Sequence, residues 1–315
     1  MKEPKMKKQK PNAPGRGAGW KKRRIKYIAI LPSLITLMNG MCGFLAISYA
    51  SRGRGVAWQW HLPWLQTGVS YFAMSGYMIF FAMIADVLDG RIARLSKTTS
   101  SFGGQLDSLC DAVSFGVAPA FLTLKLVGTH LQELRLSHQL AAITGRSLLF
   151  GTIIYAMGAV IRLARFNVEN KEDESAHMRF EGLPSPPAAG LVVSLVIFQQ
   201  DFLPKIAERP GVFFRTIESL TIWSLPFITP LAGILMVSRI GYPHVANHLL
   251  RGKKSFPAFL LILFTALLVI WNLQLAMVIG FCGFVLYGLI RQIIQTFRRK
   301  KPAAPAKAVI EAGIE

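Results

Sequence analysis

Mostly apolar stretches alternate with short polar segments along the chain. A membrane-spanning helix needs about 20 predominantly apolar residues, and eight stretches come close to that length. The pattern therefore predicts an all-α, polytopic transmembrane helical bundle. The predicted spans are residues 27–50, 68–89, 107–128, 145–166, 186–203, 218–238, 256–272 and 274–292.

The same pattern divides the chain into four regions. Residues 1–26 are basic and contain prolines and glycines, so we interpret them as a cytoplasmic tail without regular structure. Residues 27–238 are predicted to form a six-helix transmembrane core, and residues 239–292 add about two helices as a C-terminal hairpin. Residues 293–315 are predicted to form a second basic, loose tail.

Composition supports a membrane protein and argues against a nucleic-acid partner. Hydrophobic residues make up 52% of the chain and charged residues 17%, against about 25% charged in a typical soluble domain. The net charge of +20 is concentrated at the two ends and in short gaps between apolar runs. Basic residues in such positions suit anionic lipid headgroups and indicate that both termini are cytoplasmic. We therefore expect no nucleic-acid binding.

Four aspartates interrupt the apolar pattern where the second and third spans are joined. Asp86 and Asp89 are three residues apart, and Asp107 and Asp111 are four apart, so each pair lies on one helix face. Because the two helices are antiparallel neighbours, both pairs can face one cavity. A carboxylate at the centre of a membrane helix costs about 2.5–3.5 kcal/mol. The four groups are therefore expected at a wet membrane surface, sharing cations.

Divalent cations would relieve the repulsion among these carboxylates. Oxygen ligands suit Mg²⁺ or Mn²⁺, and two such ions bridged by carboxylates can perform phosphoryl chemistry. Gly90 and Gly103 would let a bulky ligand approach the backbone, and Arg94 is suited to bind a pyrophosphate. The alternative is an ordinary acidic loop between two membrane helices.

The stretch has the form DxxDGxxAR, eight residues, GxxxDxxxD. This pattern resembles the signature of the CDP-alcohol phosphatidyltransferase family. The resemblance implies a six-helix core, a homodimer, a cavity facing the cytoplasm and transfer of a phosphatidyl group from CDP-diacylglycerol with release of CMP. The fixed positions of the signature are Asp86, Asp89, Gly90, Ala93, Arg94, Gly103, Asp107 and Asp111.

The resemblance also implies roles for these residues. The four aspartates would be metal ligands, and Asp111 would in addition be the general base. Gly90, Arg94 and Gly103 would contact the CDP portion. Thr36 and Asn39 share a face of the first predicted span. Two interpretations of that pair remain open, which are contact with the cytidine and hydrogen bonding between helices.

Three further segments resemble the membrane-integral bacterial phosphatidylserine synthases within this family. They are residues 114–120, 162–168 and 182–190. This resemblance predicts L-serine as the acceptor and phosphatidylserine as the product, in a protein of the bacterial inner membrane.

Serine carries a carboxylate, which needs a cationic partner. Arg162 and Arg165 can supply it, and Asn167 can add polar contacts. The alternative is that the two arginines only set the topology. Glycerol 3-phosphate, inositol phosphate and choline remain alternative acceptors. A cation transporter with intramembrane acids is a remote alternative from another class of protein.

Overall fold

The computed structural model describes residues 18–59, 68–96, 101–134, 136–172, 182–206, 211–242 and 268–299. For residues 18–32, 58–59, 93–96, 101, 169–172 and 295–299 it describes the backbone alone. The described residues are almost entirely helical, which confirms the predicted all-α class.

The helices follow one another with few interruptions. Two π-helical segments, Ala112–Val117 and Phe198–Phe202, each continue from one α-helix into the next without a break. In the described part of the chain the helices are α1 (Ala18–Ser51), α2 (Tyr71–Ser96), α3 (Ser101–Asp111), α4 (Ala118–Glu133), α5 (His138–Glu172), α6 (Ser185–Ile197), α7 (Leu203–Ile206), α8 (Val212–Val237) and α9 (Leu273–Arg299).

Seven helical stretches among the described residues are long and apolar enough to cross a membrane. The chain is therefore an integral membrane protein. These stretches correspond to seven of the eight predicted spans. Of the other predicted span, residues 256–272, only 268–272 are described, and 268–271 are helical.

Described helical residues extend into both regions that were predicted as tails. Helix α1 begins at Ala18, inside the region predicted to be irregular, and α9 continues to Arg299, beyond the predicted end of the hairpin. Lysine and arginine are good helix formers, and the prolines of the N-terminal tail, Pro4, Pro11 and Pro14, precede the start of α1. Basic residues next to a membrane span can therefore extend its helix.

Two short paired strands lie between α1 and α2 in the sequence. Strand β1 (Val56–Gln59) pairs antiparallel with β2 (Gly68–Ser70), with Val56 opposite Ser70. Gly53 precedes these strands with a φ of 72°, a left-handed conformation that favours glycine.

Glycines let the helices of the core approach one another closely. Helix α1 packs along α2 and against α3, and α5 packs along α8. At Gly43 of α1, an added Cβ would lie 2.8 Å from the Cα of Ser114. At Gly158 of α5, it would overlap the backbone of Gly233 in α8. Small residues at such crossings are typical of membrane helix packing.

A buried aspartate joins the elements at the end of the bundle where α2 begins. Asp201 is 3% exposed and accepts hydrogen bonds from Tyr77 of α2, at 2.7 Å, and from Gln274 of α9, at 2.9 Å. Lys205 forms an ion pair with it at 2.8 Å. Helix α9 is thus held against the core at this end, and it also packs against α6.

Candidate active site

The predicted site residues come from one end of the bundle. Helix α2 ends at Ser96 and α3 begins at Ser101, so both acidic pairs lie near that end. Helix α5 ends beyond Arg162, and α6 begins at Ser185. Consecutive antiparallel helices therefore bring distant parts of the sequence to the same end of the bundle.

Three of the aspartates form a compact cluster. Asp86, Asp89 and Asp107 each offer a carboxylate oxygen, and these oxygens lie within 4.8 Å of one another. Asp89 is only 3% exposed. Asp86 and Asp89 of α2 therefore face Asp107 of α3.

Helix α1 donates one hydrogen bond to each acidic pair. The Thr36 hydroxyl donates to Oδ2 of Asp89 at 3.0 Å, and the Asn39 amide donates to Oδ1 of Asp111 at 2.8 Å. Asn39 is completely buried. Thr36 and Asn39 therefore make the helix-to-helix hydrogen bonds that were one of the two interpretations of this pair. Their predicted contact with CDP stays a prediction.

The π-helical segment begins directly after Asp111 and supports the same arrangement. Its Ser114 hydroxyl donates to the backbone carbonyl of Asn39 at 2.9 Å, which holds α1 next to Asp111. The hydroxyl of Tyr155, from α5, donates to the carbonyl of Phe115 at 2.9 Å. Widened turns of this kind are frequent at functional sites, and here the turn is held from two other helices.

We expect Asn39→Ala to lower kcat about tenfold, because a hydrogen bond to a charged group contributes about 1.5–3 kcal/mol. Asn39 acts through Asp111, so its effect should vanish once Asp111 is changed. The measurement is steady-state kinetics of Asn39→Ala, Asp111→Asn and the double variant. The double variant should be about as slow as Asp111→Asn alone.

A matched control is Ser75→Ala, which removes a 2.8 Å hydrogen bond from α2 to the Ala46 carbonyl of α1 at a distance from the site. It should keep the wild-type kcat. Independent, additive losses for Asn39→Ala and Asp111→Asn would show that Asn39 contributes only to the fold.

A cavity of about 460 Å³ opens beside the aspartate cluster and is called the active-site cavity below. Such a volume is in the range of small-ligand sites. Its acidic lining comes from Asp86, Asp107 and Asp111. Its basic and polar lining includes Arg162, Asn167, Ser185 and Tyr242. One cavity thus presents carboxylates and a guanidinium to the same ligand.

Gly90 and Gly103, which are predicted to contact CDP, are not part of the cavity lining. A Cβ added at Gly90 would meet no atom within 4 Å, so there is space beside the backbone next to Asp89. Gly103 lies at the start of α3, and its neighbour Gly104 lines the cavity. The side chain of Arg94 lies outside the described residues.

The predicted serine-binding residues divide into two groups. Arg162 and Asn167 line the cavity, whereas Arg165 is not part of its lining. The Asn167 amide donates to the Ser108 hydroxyl at 2.8 Å, so it holds α5 against α3. Arg162 donates from Nη1 to the Ser185 hydroxyl at 2.9 Å, which connects α5 to the start of α6.

Sequence reasoning missed three polar residues of the cavity. They are Ser108, Ser185 and Tyr242. Ser108 stands directly after Asp107. Ser185 lies in the segment 182–190, which resembles the phosphatidylserine synthases but was not predicted to contain a site residue. Tyr242 follows α8 in a gap with no periodic pattern, so no signal in the sequence would have found it.

The aspartate cluster fits a divalent cation. Its donors are all carboxylate oxygens, which Mg²⁺ and Mn²⁺ prefer. Oδ1 of Asp107 is buried and has no hydrogen-bond partner among the described residues. A buried carboxylate oxygen without a partner is costly, and a bound cation would satisfy it. Asp111 is outside this group of three and accepts a hydrogen bond from Asn39 instead.

A family model described as CDP-alcohol phosphatidyltransferase matches residues 29–229. The chain belongs to the CDP-alcohol phosphatidyltransferase family. The match includes the aspartate cluster, Asp111 and Arg162, and it ends inside α8. The family resemblance of the motif is therefore confirmed, and the chain is an enzyme. Tyr242 and α9 lie beyond the matched residues of this enzyme.

The enzyme is similar to several curated proteins named CDP-diacylglycerol–serine O-phosphatidyltransferase. That of Helicobacter pylori strain J99 is 32% identical over 272 residues, which cover 85% of this chain and 93% of the relative. That of Methanocaldococcus jannaschii is 33% identical over 182 residues, which cover 58% and 70%. That of Mycobacterium bovis is 30% identical over 242 residues, which cover 76% and 69%.

Proposed function

We propose that this enzyme transfers the phosphatidyl group of CDP-diacylglycerol to L-serine. In this reaction the serine hydroxyl oxygen forms a bond to the phosphorus that carries diacylglycerol. The bond from that phosphorus to the CMP oxygen breaks, and CMP leaves with the bonding electrons. The proton of the serine hydroxyl passes to a carboxylate. The products are phosphatidylserine and CMP.

The observation that carries the proposal is the aspartate cluster beside a cavity lined by Arg162. The family membership supports the CDP-linked donor. The names of the relatives, one of which is similar over 85% of this chain, support serine as the acceptor.

The proposed roles of the residues follow from the cavity. Asp86, Asp89 and Asp107 would hold Mg²⁺ or Mn²⁺, which when bound neutralises charge on the phosphates. Asp111, beside the cluster, would receive the serine proton. The guanidinium of Arg162 would pair with the serine carboxylate.

We also propose roles for the other predicted site residues. Gly90, Arg94 and Gly103 would contact the CDP portion, as the family signature implies. The predicted second metal ion would use Asp111 as a further ligand. Asn167 would support the serine site by holding α5 against α3 through its hydrogen bond to Ser108. Arg165 is not in the cavity lining, so its proposed role is also to support the site from α5.

We also propose where the enzyme works. Most of its 36 lysines and arginines lie in the tails and in the gaps on the side of the aspartates, so this side would be cytoplasmic. The membrane would be a bacterial inner membrane, in which anionic lipids attract the basic tails. The family resemblance implies a homodimer, and we propose that this enzyme acts as one.

The test is an acceptor assay with the full chain purified in detergent. We expect CMP release from CDP-diacylglycerol with L-serine, loss of that activity with excess EDTA, and recovery on addition of Mg²⁺ or Mn²⁺. Glycerol 3-phosphate, inositol phosphate and choline serve as comparison acceptors.

The outcomes of this assay separate the alternatives. CMP release with one of the comparison acceptors and none with serine would reassign the acceptor but keep the chemistry. Serine-dependent CMP release that is unaffected by EDTA would contradict the metal role. Absence of CMP release with every acceptor and both metals would contradict the proposed transfer from CDP-diacylglycerol.

A further inference from the structure

Tyr242 lines the active-site cavity from a position far outside the family signature. It lies beyond the residues matched by the family model and lines the cavity with Arg162 and Ser185. The side chain is 6% exposed. Its hydroxyl is buried and has no hydrogen-bond partner among the described residues. A buried hydroxyl without a hydrogen-bond partner is unfavourable, and a ligand that accepts its hydrogen bond would remove that cost.

The ring of Tyr242 is held in place by α9. It stacks on Phe284 with 5.7 Å between ring centroids and an angle of 29° between planes. Gly288, one turn along α9, leaves room for the ring, because an added Cβ there would overlap its Cε1 atom. The hydroxyl is therefore positioned by aromatic packing.

The backbone before Tyr242 is attached to the start of α6. The amide of Gly182 donates to the carbonyl of Ile240 at 2.9 Å, and the amide of Leu183 donates to the carbonyl of Leu235 at 3.0 Å. Gly182 has a φ of 91°, and an added Cβ would overlap the carbonyl oxygen of Met236. These contacts place the tyrosine next to Ser185, the first residue of α6.

The groups that meet here attract an anion. Arg162 is a cation, Tyr242 offers an O–H donor, and the positive end of the α6 dipole begins at Ser185. The phosphate oxygens of the donor lipid would bind a cation held by the aspartate cluster on α2 and α3. The donors from α5, α6 and the segment after α8 are then available to the acceptor, whose anionic group is a carboxylate.

We infer that the Tyr242 hydroxyl donates a hydrogen bond to the carboxylate of the acceptor amino acid, beside the guanidinium of Arg162. This inference rests on the proposed function with serine. It assigns part of the acceptor site to the C-terminal region, and it gives α9 a role in holding a residue that selects the acceptor.

The test is Tyr242→Phe in the full-length enzyme. We expect KM for serine to rise about tenfold, while kcat and KM for CDP-diacylglycerol stay near their wild-type values. The variant removes a hydroxyl that has no protein partner among the described residues. Its melting temperature without serine should therefore be equal to or above that of the wild type, and the added stability on saturation with serine should fall.

Two further variants test whether the effect depends on the position of the Tyr242 hydroxyl. Tyr287→Phe makes the same chemical change at an exposed position of α9 and should leave both KM values unchanged. Gly288→Ala keeps the hydroxyl but displaces the ring, so it should raise KM for serine while the enzyme remains folded by its melting curve. An effect of Tyr242→Phe on KM for CDP-diacylglycerol instead of serine would assign the hydroxyl to the donor phosphate and overturn the inference.

The proposed function and this inference fail in different ways. A wild-type enzyme that uses serine, with an unchanged KM in Tyr242→Phe, would overturn the inference alone. A lower melting temperature with an unchanged KM would show that the hydroxyl serves the fold. A wild-type enzyme that does not use serine would overturn both.

Discussion

Replacing Asp107 by asparagine is expected to lower turnover about 10³-fold and to weaken the binding of divalent ions. Asp107 offers one of the three clustered carboxylate oxygens, and its Oδ1 has no other partner among the described residues. An amide keeps the shape but removes the charge that attracts the ion. Loss of about 4 kcal/mol of charge stabilisation corresponds to that decrease in rate.

The measurement combines kinetics with a direct binding readout. The dependence of the rate on Mg²⁺ or Mn²⁺ should shift to higher concentration in Asp107→Asn, and the binding of Mn²⁺ followed by electron paramagnetic resonance should weaken in parallel. Asp201→Asn is a control, since Asp201 is a buried aspartate at the end of the bundle where α2 begins, away from the site. Unchanged Mn²⁺ binding in Asp107→Asn would contradict the proposed cation site.

Replacing Asp111 by asparagine should also lower kcat, by about 10²–10⁴-fold, but with the binding of the first metal ion preserved. Asp111 lies outside the cluster of three and lines the active-site cavity. An asparagine there still offers Oδ1 to the Asn39 amide, so the local hydrogen bond can remain. What it loses is the ability to accept a proton, and general-base catalysis contributes about that factor.

The contrast between the two variants separates the roles of the aspartates. Asp111→Asn should keep the Mn²⁺ signal of the first ion and both KM values while kcat falls, whereas in Asp107→Asn the binding of that ion should weaken. Full turnover by Asp111→Asn with metal binding intact would rule out its role as the base. A loss of Mn²⁺ binding in Asp111→Asn as large as in Asp107→Asn would instead make it a ligand of equal weight.

The spacing of residues along the chain was enough to predict the helical class and the chemistry. Apolar runs of about 20 residues predict membrane spans because a spanning segment must satisfy its backbone hydrogen bonds internally. Asp86 and Asp89, like Asp107 and Asp111, share a helix face because the helical repeat is a local property of the backbone. The motif that contains them identified the family, which the match to residues 29–229 confirms.

Only the tertiary structure decided which side chains hold and complete this site. The hydrogen bond of Asn39 to Asp111 joins residues 72 positions apart, and that of Thr36 to Asp89 joins residues 53 apart. These contacts depend on how closely α1 approaches its neighbours at Gly43, which is a matter of packing between helices.

The position of Tyr242 at the cavity is also decided by the tertiary structure alone. It stands alone in a gap, outside any helical repeat and outside the family signature, yet its ring packs on Phe284 at the edge of the cavity. The sequence by itself determined the spans, the shared faces of the aspartates and the family, because each depends on residues a few positions apart. The partners of those aspartates and the lining of the active-site cavity depend on contacts between distant segments, and those contacts exist only once the helices have packed.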